Sequence, residues 1–257
     1  MSVEMNVEGA VATITLNRPE KKNALTVEMR EGLIAHFQRA RFDDDIRALV
    51  LTGAGEAFCS GADVDRMGDS DGRAARHRLQ KLSHTYMRTL HAIEKPVIAA
   101  VRGHAVGIGW SLALGCDMVV ASETAVFSQI FRRIALGPDG GAIWYLTRRL
   151  GMNLAKELVF TARVVGAAEA LKLGLVNHVV ADGDLMGRTM EMARDMAEGP
   201  TFMFGLAKKL FHMAPSVSLE DYLEMEAMVQ PQLNRTQDHQ EGKAAFREKR
   251  KPRFIGR

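Results

Sequence analysis

Cysteine is almost absent from the chain: Cys59 and Cys116 are the only two in 257 residues. Neither belongs to a metal-ligand or disulfide spacing, so a disulfide-stapled scaffold and a cysteine metal site are both excluded, and the chain reads as a reduced, cytoplasmic protein. Long apolar runs are missing too. Nothing approaches the roughly 18 residues of a membrane helix, and the opening MSVEMNVEGAVATITL lacks a basic-then-apolar signal pattern, so neither a membrane partner nor secretion is expected. An excess of charge is also lacking, because a net +3 is too small to argue for nucleic acid. The imbalance that exists gathers at the end, where Lys243, Arg247, Lys249, Arg250, Lys251, Arg253 and Arg257 stand against Glu248 alone. Such a tail is either a solvated end or a contact for an anionic ligand or partner. What is present is a 47% hydrophobic composition, enough to fill the core of one large domain, or of a domain with an appendage.

Two stretches share a pattern that carries chemistry. Arg47–Thr52 reads as a buried strand and runs into Gly53-Ala54-Gly55-Glu56-Ala57-Phe58-Cys59-Ser60-Gly61-Ala62-Asp63-Val64. Pro96–Val101 reads the same way and leads to His104-Ala105-Val106-Gly107-Ile108-Gly109-Trp110-Ser111, where glycines end the strand and a helix of small residues begins. The first N–H groups of a helix have no intrahelical partner and carry the positive end of its dipole, so an elbow of this kind either packs a helix on a sheet or holds an anionic oxygen. Gly107 and Gly109 let a ligand come close to the backbone. Two such units aimed at one crevice supply the two donors an oxyanion hole needs.

The remaining chain is an α/β pattern that becomes all helix. Val7 and Val11 flank Glu8-Gly9 in an opening hairpin, and Thr26 caps a helix whose apolar face is Met29, Leu33, Phe37 and Ala40. Gly68–Gly72 is a polar insert, followed by a helical stripe through Leu79, Leu82, Tyr86, Leu90 and Ile93. Asp117–Ala121 and Ala125–Phe127 read as short strands, and Leu175–Val180 as an edge strand. In Gly137-Pro138-Asp139-Gly140-Gly141, a turn into the next helix, Asp139 either caps that helix or serves chemistry. From Asp184 onward only helices are expected. We therefore place a boundary near 198, giving a core of residues 1–197 and a helical region of 198–257. The many methionines read as core and interface filler.

In their order and spacing LTGAGEAFCSGADV and PVIAAVRGHAVGIGWSLALGCD, with the opening LNRPEKKNALT and the later GPDGG, resemble the crotonase (enoyl-CoA hydratase/isomerase) superfamily over nearly the whole chain. The resemblance implies a spiral of ββα units with a C-terminal helical trimerisation region, a homotrimer or a hexamer of two trimers, and a coenzyme A thioester as substrate without a metal or redox cofactor. It places the oxyanion donors at the backbone N–H of Ala62 and Ile108, the latter replacing the usual glycine. It assigns coenzyme A contacts to Arg18, Lys22, Ala62, Asp63 and Val64, the first two near its phosphates unless they belong only to an exposed basic loop. Phe246 and Lys249, three residues apart and so expected on one helix face, are assigned to coenzyme A of a neighbouring subunit.

The same resemblance exposes a departure. Family hydratases carry one Glu where this chain has Ser111 and a second in a segment that reads Phe127–Arg133 here, without a carboxylate. Asp139 remains, in a PDGG turn like that of the ring-epoxide and double-bond isomerases, where an aspartate is the acid/base. Burial among Ile134, Leu136 and Trp144 is expected to raise its proton affinity, and Met67, Ile108, Phe131 and Trp144 are expected to shape the acyl pocket. The resemblance thus implies an enoyl-CoA isomerase first. A hydratase with altered acid/base groups, or a fold of this type binding RNA or another partner without catalysis, are the alternatives.

Overall fold

The computed structural model describes residues 2–64 and 71–257; Met67 and the first three residues of the Gly68–Gly72 insert lie outside them. Strands β1 (Ser2–Glu8) and β2 (Val11–Asn17) form the expected antiparallel hairpin, turning at Gly9 with φ +58°. From β2 onward, neighbours in the main sheet run parallel. The main sheet has the order β1-β2-β3-β4-β6-β9, adding β3 (Ala48–Gly53), β4 (Val97–Val101), β6 (Met118–Ser122) and β9 (His178–Val180). Strands β3 and β4 are buried almost throughout, which is why they read as continuous apolar runs rather than alternations.

A smaller sheet holds β5 (His104–Val106), β7 (Val126–Ser128) and β8 (Val165–Gly166). The chain shuttles between the two sheets. It goes from β4 to β5 and then helix α4 (Ile108–Gly115), and from β6 to β7 and then α5 (Ala142–Thr161). Earlier, β3 is followed by a parallel bridge of Cys59 to Ala105 on the smaller sheet and then by α2 (Gly72–Lys81) and α3 (Ser83–His91). Each turn is thus strand, strand, helix, the ββα spiral. The short α6 (Ala167–Lys172) carries the chain from β8 back to β9. Strand β5 was not expected from the sequence, because three residues between glycines are too few to show alternation.

Helix α1 (Val27–Phe42) starts where the capping signal puts it. The Thr26 side chain accepts from the Met29 N–H, and Met29, Leu33, Phe37 and Ala40 are buried. The single stripe expected from Leu79 to Ile93 is two helices, broken at Leu82 with ψ −78°. Helix α7 (Leu185–Glu198) buries Leu185, Ala193 and Ala197 with Val50, Ile98 and Val120 of the main sheet, so it belongs to the core. Beyond it come α8 (Thr201–Met213), α9 (Leu219–Asn234) and α10 (Gln237–Glu248). No helix of the described residues is long and apolar enough to cross a membrane.

The basic tail is not a solvated end. Arg250 pairs with Glu241 and Glu248, Lys251 with Glu198, and the buried Asp238 carboxylate accepts from the N–H groups of Ile255 and Gly256 at 2.7 and 2.8 Å. Two of its seven cations, Arg250 and Lys251, are therefore paired within the chain, and its end is held to α10 through Asp238. The shared face expected for Phe246 and Lys249 is also corrected. Helix α10 ends at Glu248, and Lys249 is its left-handed cap at φ +56°, outside the helical repeat.

Candidate active site

The two glycine loops meet because the backbone ties them together. The Cys59 N–H donates to His104 O at 2.8 Å and the Val106 N–H to Cys59 O at 2.9 Å, so the segment before Ala62 and the strand before Ile108 end side by side. Gly61 lies at φ +110°, and a Cβ there would stand 3.2 Å from Val106 O. Gly107 caps α4 at φ +56° with its own N–H on Ser128 O, beneath the ring of Phe131. Among the described residues, neither the Ala62 N–H nor the Ile108 N–H donates a hydrogen bond. Two unpaired donors at the ends of adjoining loops, one at a helix N-terminus, are what stabilises an oxygen that gains negative charge.

The PDGG turn packs on the start of α4 from the other side. The Ser111 hydroxyl, fully buried, donates to Asp139 O at 2.9 Å. Gly140, at φ +63°, leaves no room for a side chain, because a Cβ would collide with the Ile108 side chain and approach Ser111 Cβ to 2.8 Å. The Ile108 side chain thus packs against the turn. Ser111 ties the backbone of Asp139 to the first turn of α4.

Asp139 does not cap α5. That helix begins after Gly141, itself left-handed at φ +79°, without a side-chain cap. The Asp139 Oδ1 is buried without any hydrogen-bond partner. Burial pushes its pKa up to about 6, against a smaller opposing pull from the Arg30 guanidinium. The expected surroundings need correcting: Ile134, Leu136 and Trp144 are all exposed. Trp144 stands edge-on to His91 and Tyr145 and under Arg148, beside the groove that holds Asp117 and Lys208. The carboxyl is enclosed instead where its turn packs on α4.

Of the residues assigned to coenzyme A, Arg18 changes role. Its guanidinium is buried and donates to the Asp63 carboxylate at 2.6 Å and to Ala24 O. This pair braces the 17–23 loop against the Ala62 loop, and breaking it would leave a buried charge uncompensated. Arg18 and Asp63 therefore position the loops, and their charged groups are turned to one another rather than outward to phosphates. Lys22, in a left-handed conformation at φ +48°, and Val64 are exposed; the His104 pKa is lowered chiefly by burial and further by nearby Lys22. Phe246 and Lys249 are exposed as well. Two groups near Asp139 escaped the sequence reading. Arg30 flanks the buried stripe of α1, a cation at the edge of an apolar face, and Tyr86 passes for an ordinary core residue of α3.

The comparisons agree with this geometry. The family model described as enoyl-CoA hydratase/isomerase matches residues 6–257. The chain is similar to a probable enoyl-CoA hydratase of Rhodobacter capsulatus, 40% identical and covering 100% of this chain and 98% of that one. It is also similar to the 1,2-epoxyphenylacetyl-CoA isomerase of Escherichia coli, at 38% identity over 98% of this chain and 97% of the other. A crystal structure of an enoyl-CoA hydratase from Polaromonas sp. JS666 superposes with a TM-score of 0.94 at 33% identity, covering 99% of this chain and all of that one.

Proposed function

Because the chain belongs to the enoyl-CoA hydratase/isomerase family, we propose that this acyl-CoA enzyme shifts a double bond, with Asp139 as its acid/base. The observation that carries this reading is the buried, unpartnered Oδ1 of Asp139, a carboxyl with a raised pKa and no capping role. As a carboxylate it takes a proton from the α-carbon of a β,γ-unsaturated thioester, and the electron pair moves onto the thioester oxygen. The Ala62 and Ile108 N–H groups hold that dienolate oxygen. The carboxylic acid then returns the proton to the γ-carbon, leaving an α,β double bond. One carboxyl suffices. Hydration by the usual route positions a water between two carboxyls, and at the corresponding places stand Ser111, committed to Asp139 O, and a segment without acids.

A panel of β,γ-unsaturated, α,β-unsaturated and aromatic acyl-CoAs, followed by product analysis, tests the reading. Conversion of β,γ- to α,β-enoyl-CoA is the expected result, with a rate that falls as pH drops below about 6 because the base becomes protonated. Accumulation of 3-hydroxyacyl-CoA as the main product would favour the hydratase activity named for several relatives.

For assembly we infer a homotrimer, or a dimer of trimers, through the C-terminal helices. Phe211, Leu219 and Phe246 there are 77%, 66% and 86% exposed, large apolar side chains that a second copy would cover. Light scattering is expected to give three or six times the 28.3 kDa chain mass. A monomer would sink this inference.

A further inference from the structure

Two more polar groups near Asp139 lack partners, and the isomerisation uses neither. The Nε of Arg30, on α1, is buried without a hydrogen bond. The hydroxyl of Tyr86, on α3, is also unpaired although its side chain is 0% exposed. Burial raises the phenol's pKa and nearby Ser83 pulls it back only slightly, without completing a hydrogen bond. Helices α1 and α3 pack on one another, α3 also packs on α4, and Ser111 of α4 holds the Asp139 turn; in keeping with this, Arg30 and Asp139 both act on the Tyr86 phenol and Arg30 on the Asp139 carboxyl. Yet the two donors do not bond the Asp139 carboxyl, whose Oδ1 is itself unpaired.

Buried polar groups in folded proteins are nearly always paired, and those that are not call for a ligand, a water or a functional reason. The Arg30 Nε can only donate, and the Tyr86 hydroxyl can donate. What would satisfy both is an acceptor oxygen held beside the carbon that Asp139 deprotonates. A second carboxylate fits poorly, because it would face Asp139 with one guanidinium between two anions. A plain hydrocarbon acyl group fits poorly too, since it would leave both donors unpaired in the closed site.

We propose that Arg30 and Tyr86 form an oxygen-recognising end of the acyl site, so that the preferred thioesters carry a hydroxyl, oxo or ether-type oxygen on the acyl chain. This rests on the acyl-CoA reading above and narrows its substrate class. Both are specificity residues, and neither moves a proton in the reaction.

Binding of saturated thioesters, which cannot isomerise, tests this apart from the reaction. Hexanoyl-CoA, 6-hydroxyhexanoyl-CoA, 4-oxohexanoyl-CoA and 5-oxohexanoyl-CoA are titrated calorimetrically into wild type, Tyr86→Phe and Arg30→Met. At least one oxygen-bearing thioester is expected to bind about tenfold more tightly than hexanoyl-CoA in the wild type, as a hydrogen bond to a charged donor would give. Each substitution should remove most of that preference, with hexanoyl-CoA bound at least as tightly as by the wild type because one unpaired donor is gone. Tyr86→Phe should also be no less thermally stable than the wild type without ligand, because it deletes a buried hydroxyl that has no partner. If Arg30→Met does not fold, Arg30→Lys, which loses the Nε donor and keeps the charge, takes its place. Equal affinity for all four thioesters in the wild type, or a preference that survives both substitutions, would overturn the proposal. Failure to bind any of them, hexanoyl-CoA included, would overturn the acyl-CoA reading and this proposal with it.

Discussion

Asp139→Asn is expected to lower turnover by about a thousandfold while acyl-CoA binding is retained, the scale of losing a general acid/base that acts in both halves of a reaction. The substitution is nearly isosteric and removes no cap, because α5 begins after Gly141 without help from the side chain. The Ser111 hydrogen bond to the backbone carbonyl of residue 139 survives it. Stability should move the other way. The carboxyl holds its proton more tightly in the folded chain, with a pKa of about 6 against 3.8, so its ionisation opposes folding. That cost is absent below pH 3.8, grows between the two values and is complete above about 6. At 1.36 kcal/mol per pKa unit the full difference is about 3 kcal/mol, an upper bound because the Asn amide is itself poorly paired. Denaturant unfolding of the variant should therefore show a gain of roughly 1–3 kcal/mol at pH 8 and none at pH 4. Turnover near the wild-type level would remove Asp139 from the mechanism. A stability loss at pH 8 would show that the carboxylate is satisfied after all.

Gly140→Ala should cost about a hundredfold in kcat/KM although it alters no chemical group. A methyl at this position collides with Ile108 and comes within 2.8 Å of Ser111 Cβ, and the backbone is left-handed at φ +63°. The turn must shift, and Asp139 with it; a displacement of about 1 Å at a reacting group is enough for a loss of that size. Overpacking and the unfavourable dihedral should also lower stability by about 1–3 kcal/mol. Ile108→Val removes the methyl group nearest the new Cβ, so the double variant should recover part of the loss, a non-additivity that marks direct contact. Kinetics and unfolding of the two single variants and the pair give the answer. A Gly140→Ala enzyme with normal kcat/KM would mean that the turn does not fix the carboxyl.

Much of the scaffold was legible because local signals and tertiary packing agree. The Thr26 cap, the Met29-Leu33-Phe37-Ala40 face, the hairpin at Gly9 and the two buried strands that feed the glycine loops all follow from short-range rules, and each stands where those rules put it. The loops were recognisable as well, since a strand running into glycines and then a helix of small residues has few other readings. Less legible were elements too short to show a period, such as β5, and the break at Leu82 within what reads as one helical stripe.

Charged residues were read least well, because a sequence displays a charge but not what faces it. Arg18 was expected near the phosphates of coenzyme A or in an exposed basic loop and is buried against Asp63, 45 residues away. Lys251 looked like a member of a solvated tail and pairs with Glu198, 53 residues back. By itself the sequence determined the α/β alternation, the two strands running into glycine loops and the presence of one carboxyl in the PDGG turn, all of which depend on residues adjacent in the chain; the spiral of ββα units followed only from the resemblance of whole motifs to a family. Only the tertiary structure decided that this carboxyl is a buried acid rather than a helix cap. Desolvation and the absence of a partner are properties of the packed surroundings, here supplied by α4, whose Ser111 lies 28 residues earlier in the chain.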